Sequence, residues 1–108
     1  MSMEPGLDRH DWQSHLEGLD DALRADPFDA LAELADLVER MLMEADYDVA
    51  DPVARDGEER EVVAEYLAAR EIADLVEQGN TTISPGDVAQ AINGLRAVAE
   101  YLIRERGI

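Results

Sequence analysis

The sequence predicts an all-α fold, a small antiparallel bundle of about four helices, and three observations carry that expectation. Apolar residues recur at mixed spacings of three and four in four separate segments, the pattern of one buried face per helix. Good capping residues, Asp26, Asp56 and Ser84, stand ahead of three of those segments. No stretch alternates with period two for long enough to make a strand, and residues 80–83 read only as an extended linker. A chain of 108 residues with 46% apolar content has the size and composition of one domain with a real core.

The first helix is expected from about Asp8 to Arg24, with Trp12, Leu16, Leu19 and Leu23 in one stripe and Gly18 weakening its middle. Residues 1–7 are expected to lie outside the fold. The second helix starts at Asp26-Pro27-Phe28-Asp29. Asp26 suits the cap, Pro27 the first helical position, and Asp29 the positive end of the helix dipole. Leu31, Leu34, Val38, Met41 and Ala45 form its stripe, and Leu37 and Leu42 widen it, so this helix should be the most buried. It fades near Asp46. Residues 46–57, punctuated by Pro52 and Gly57, form a connection long for a bundle.

The third helix starts after Asp56, with Glu59 completing a capping-box-like pair. Its inner stripe is expected to be Val62, Tyr66, Ala69, Ala73 and Val76, flanked by Val63 and Ile72, and Gly79-Asn80 ends it. The fourth starts at Ser84 and Pro85, with Asp87 in the first turn. Val88, Ala91, Ile92, Leu95, Val98 and Leu102 face inward, and Arg104 and Arg106 suit the negative end before Gly107.

Charge dominates the composition. There are 26 acids against 9 bases, a net charge of −17, and every base is arginine. A surface this negative repels phosphates, so direct binding to nucleic acid or to anionic membranes is not expected. The absence of lysine removes Schiff-base and lysine-base chemistry. The absence of cysteine removes disulfides, thiolate metal sites and cysteine nucleophiles. Without a disulfide, a leader-like start or a long apolar run, the simplest compartment is the cytoplasm. A GC-rich genome or a salt-loving host would produce the same acid excess without any selected binding function.

Few groups suggest chemistry. His10, Asp11 and His15 cluster in the first helix, but histidines five apart do not share a helical face, and helical zinc pairs use a spacing of four. Asp46, Asp48, Asp51 and Asp56 resemble a calcium loop in composition only. Counting from Asp46, the fifth and sixth positions are Ala50 and Asp51, where an EF-hand needs an acid or amide and then glycine. There is no glycine-rich phosphate loop, and the serines and threonines have no base at hand.

One arrangement of carboxylates has a counterpart. Glu17-Gly-Leu-Asp20 on the first helix and Glu33-Leu-Ala-Asp36 on the second resemble the paired E-x-x-E and E-x-x-D motifs of the MazG-like all-α nucleotide pyrophosphohydrolases. The resemblance covers about twenty residues and departs from the family at Asp20, where the family has glutamate. It implies that Glu17, Asp20, Glu33 and Asp36 hold magnesium against a nucleoside triphosphate. The same spacing recurs at Glu58-x-x-Glu61 and Glu71-x-x-Asp74, on a single helix where four acids cannot close around one ion. No basic cluster stands ready for a triphosphate.

The acids also form rows. Asp29, Glu33 and Asp36 follow one face of the second helix, and Glu58, Glu61 and Glu65 one face of the third. With Asp48 and Asp51 between them, these rows are the expected partner-binding surface. The expected function is a non-enzymatic acidic interaction module, an inhibitor or adaptor that binds a basic surface of another protein, with nucleic-acid mimicry as one form of it. No cofactor is expected, and magnesium belongs only to the hydrolase alternative. A third reading is a structural subunit that forms homo-oligomers through Met41-Leu42-Met43, Leu67 and Leu75, which cannot all face one core.

Overall fold

The computed structural model describes residues 9–45, 47 and 57–106. They form four helices: α1 (Arg9–Ala25), α2 (Pro27–Glu44), α3 (Gly57–Glu77) and α4 (Pro85–Arg106). The expectations for residues 1–7 and for the stretches 46 and 48–56 lie outside the described residues.

Four of the helix boundaries have a local cause in the described residues. Asp26 is the only residue between α1 and α2. Its amide closes α1 by donating to the Ala22 carbonyl at 2.8 Å, and its carboxylate opens α2 by accepting from the Asp29 amide at 3.2 Å. Pro27 follows in the first turn, where no amide donor is needed. α3 ends in a Schellman turn. Gly79 sits at φ 79°, and the Gly79 and Asn80 amides donate to the Val76 and Leu75 carbonyls, each at 3.0 Å. Asn80 then folds the linker by accepting from the Thr82 amide at 2.8 Å. α4 opens with a reciprocal cap: the Asp87 amide donates to Ser84 Oγ at 3.1 Å, and the Ser84 amide donates to Asp87 Oδ2 at 3.0 Å.

The helices run up, down, up, down. Trp12 Nε1, at the start of α1, donates to Glu44 Oε1, at the end of α2, at 2.9 Å, which fixes those two as antiparallel. α2 packs against all three other helices, while α1 and α3 do not touch. The parallel pair α2 and α4 is therefore the short diagonal of the bundle, with α1 and α3 on either side. This explains why α2 carries the widest apolar face: Ala30, Leu31, Leu34, Ala35, Leu37, Val38, Met41 and Leu42 are all buried. The expected inward residues of α4 are buried as well, joined by Ala99 and Ile103.

Two stripes differ from expectation. On α3 Val63 is fully buried and Val62 only half-buried, so the stripe runs Val63, Tyr66, Ala69, Ala73 and Val76 is at its margin. α3 packs on α2 and α4 together, and the line facing the seam between those two helices is the one buried most deeply. On α1 Trp12 and Leu23 are buried, but Leu16 and Leu19 are only half-buried. An edge helix with one broad neighbour covers its stripe less completely. Among the described residues no helix is long and apolar enough to cross a membrane.

Candidate functional site

The bundle sorts its carboxylates into three places. The first is the seam between α2 and α3, which holds Arg70. Its side chain is only 18% exposed. Nη2 reaches Asp36 Oδ1 at 2.8 Å and Glu39 Oε1 at 2.9 Å, and Nε donates to the Tyr66 hydroxyl at 3.0 Å. Burial works against the charge of Arg70, but the contacts with Tyr66 and Asp36 outweigh it and hold the guanidinium above its usual pKa. Burial likewise pushes the Tyr66 phenol up, against the pull of Arg70. Asp36 thus belongs to an interhelix link as well as to the exposed acid row.

The second place is the groove between α3 and α4. Two adjoining hollows of about 340 and 210 Å³ meet at Glu65. Glu61, Glu65, Glu71 and Asp87 supply the carboxylates. Ala69, Ile72, Ala91 and Val98 supply an apolar floor. Gly94 shapes the middle. A Cβ there would stand 3.0 Å from Glu65 Oε2, so the bare backbone lets the glutamate lie close across α4. No arginine or histidine lines either hollow.

The third place is the flank of α1. Glu33 and Asp36 line a cleft of about 400 Å³ between α1 and α2, together with His15 and Arg40. Glu17 and Asp20 line a different hollow, between α1 and α4, where Arg96 Nη2 holds Asp20 Oδ1 at 2.7 Å. The four acids of the pyrophosphohydrolase-like motif are therefore divided between two grooves, and two of them are paired with arginines. Among the described residues no three histidine, aspartate or glutamate side chains stand close enough together to hold a metal ion.

The remaining expected positions are distributed as follows. Asp29, Glu33, Glu61 and Glu65 are exposed, and Glu58 lies in the first turn of α3. Asp48 and Asp51 lie outside the described residues, as do Asp46 and Asp56. His10 lies in the first turn of α1 and His15 is exposed. Of Met41-Leu42-Met43, the first two are buried and Met43 is 59% exposed, the one large apolar side chain exposed among the described residues. Leu67 and Leu75 are half-buried, Leu67 against the core.

Sequence reasoning missed Arg70, Glu71, Asp87 and Gly94 as parts of these sites. Signals for two of them were present. Arg70 is a base set within the apolar line of α3, and Gly94 is a glycine in the middle of a helix, where it costs about 1 kcal/mol relative to alanine. Comparison with known proteins finds no matching family model, curated protein or solved structure.

Proposed function

We propose that this protein is a non-enzymatic binding module that takes up a basic segment of a partner protein, acting as an inhibitor or adaptor. The observation that carries the reading is the groove between α3 and α4: four carboxylates border an apolar floor, and no cation in the lining neutralises them. Arginines elsewhere pair with the acids of the other seams. A segment with alternating basic and apolar side chains meets both features of the groove, with its cations on the carboxylates and its apolar face on the floor. Nucleic-acid-binding proteins are one class with such segments. Glu61 and Glu65, four apart on a helix, place charges about 5–6 Å apart, comparable with phosphate spacing along a strand. Net charge of −17 adds long-range attraction and fast, salt-sensitive association.

The test begins with affinity capture from the native host and elution by a salt series. The recovered partner is then purified and titrated against the wild type and against Glu61→Gln/Glu65→Gln/Glu71→Gln. We expect the variant to bind at least about tenfold more weakly, with a flatter salt dependence. Equal affinity and equal salt dependence for the two proteins would overturn the reading.

A further inference from the structure

The cleft between α1 and α2 has a different character from the groove used above, and it contains two side chains the fold leaves unpaired. Arg40 sits in a chain with a large acid excess, yet it has no ion-pair partner among the described residues. The reason is visible on α2 itself. Its neighbours one turn away are Asp36 and Glu44, and each is engaged elsewhere: Asp36 by Arg70 at 2.8 Å, Glu44 by Trp12 Nε1 at 2.9 Å. Glu33, on the same face seven residues earlier, is also without a hydrogen-bond or ion-pair partner among the described residues. At 1.5 Å rise per residue the two lie about 10.5 Å apart along the helix, too far to pair with each other.

Between them Leu37 and, across the cleft, Leu19 line the wall. On the α1 side Gly18 borders open space, since a Cβ there would meet nothing within 4 Å. The cleft, about 400 Å³, is of small-molecule size. Along α2 the lining runs Glu33, then Asp36 and Leu37, then Arg40, and the charge of Asp36 is already met by Arg70 at 2.8 Å, which leaves an anion at one end and a cation at the other as the uncompensated groups.

We infer that this cleft binds a short zwitterion with an apolar middle, of the length of a tripeptide with free termini. Its ammonium is held by Glu33, its carboxylate by Arg40, and its apolar side chains by Leu19 and Leu37. The length follows from the spacing: three extended residues span about 10 Å. The zwitterionic character follows from the whole molecule. A net anion such as a phosphate would be drawn to Arg40 but repelled by the surrounding field, whereas a ligand of zero net charge is not. Arg40 suits a terminal carboxylate because its planar guanidinium can meet both oxygens.

The experiment uses the full chain and the peptide Ala-Leu-Ala, followed by amide NMR shifts and calorimetry. The free peptide is expected to give saturable shifts at Ser14, Gly18, Leu37 and Arg40. N-acetylation or C-amidation is expected to weaken binding about tenfold each, the loss of one charge-assisted contact. Glu33→Gln should weaken the free and the amidated peptides but cost the acetylated one nothing further. Arg40→Gln should weaken the free and the acetylated peptides and spare the amidated one. Gly18→Leu fills the cleft while keeping a good helix former in α1, and should abolish binding with the helical circular dichroism intact. Equal binding of free and blocked peptides, or no saturable shift at about 10 mM peptide, would overturn the inference.

Discussion

Replacing Arg70 with methionine keeps the apolar stem that packs in the α2–α3 seam and removes only the guanidinium. Four contacts go with it: Asp36 at 2.8 Å, Glu39 at 2.9 Å, the Tyr66 hydroxyl at 3.0 Å and Asp74 at 3.9 Å, the last a long, half-exposed pair that adds little. The size of the loss depends on where the partners are left. Asp36 is 72% exposed and Glu39 39% exposed, so both carboxylates regain water. The 3–5 kcal/mol penalty for stranding a fully buried charge therefore does not apply. The Asp36 contact is worth about 0.5 kcal/mol at that exposure, and the more sheltered Glu39 contact about 1 kcal/mol. The hydroxyl of buried Tyr66 loses a donor, about 0.5 kcal/mol more. The expected loss is about 2 kcal/mol, or a fall in Tm of roughly 8–16 °C for a domain of this size. Urea denaturation measures it directly, and a double-mutant cycle with Glu39→Gln should return a coupling of about 1 kcal/mol. Part of the loss should persist at about 1 M salt, because Arg70 is largely sheltered from screening ions. A loss below about 0.5 kcal/mol would refute the reasoning and reduce the link to a surface ion pair.

Three further outcomes follow from the same geometry. Tyr66, whose phenol is pushed up by burial, favours the folded state fully below its unfolded value near pH 10, and that contribution is lost as pH rises through the higher folded value; alkaline unfolding curves should steepen there, and Tyr66→Phe should flatten them. Ser84→Ala removes the hydroxyl that accepts from the Asp87 amide and should cost about 1 kcal/mol in urea denaturation, whereas Ser84→Asp, which retains a capping oxygen, should cost much less. Val63→Ala should cost about 2 kcal/mol and Val62→Ala less than about 1 kcal/mol, since only Val63 is fully buried; the reverse order would show that α3 packs on a different line.

Helix boundaries were legible because the signals are local. Asp26, Gly79-Asn80 and Ser84 act within a few residues of themselves, and each makes the backbone contacts its residue type favours. The broad face of α2 was legible for the same reason: Leu31, Leu34, Leu37, Val38, Met41 and Leu42 on one helix leave little choice of which side to bury. The stripe of α3 was less so. Val62 and Val63 are both apolar and adjacent, and only the positions of α2 and α4 decide which one reaches the seam. The sites were least legible, because each is formed by two helices distant in sequence. Glu61 and Glu65 could be placed in one row, but nothing on α3 indicates that Gly94 lies beneath Glu65 or that Asp87 stands at the same groove. The pyrophosphohydrolase-like quartet shows the converse. Its spacing on each helix is right for shared faces, yet Glu17 and Asp20 turn toward α4 while Glu33 and Asp36 line the cleft against α1.

The two arginines that cross between helices give the acid rows different standing. Arg70 draws Asp36 and Glu39 into the α2–α3 seam, and Arg96 draws Asp20 against α4. Those carboxylates already have a cation, so a basic partner must displace an internal arginine to use them. Glu61 and Glu65 have no such competitor in their groove, and a partner's cation meets them with only water to displace. Arg70→Met therefore separates the two surfaces as well as testing stability. It frees Asp36 and Glu39 without altering the residues that line the α3–α4 groove. A partner seated in that groove should bind the variant, measured below its Tm, nearly as it binds the wild type. A partner seated on the row Asp29, Glu33 and Asp36 should bind the variant more tightly, because the α2 surface would then present acids without their internal counter-charge.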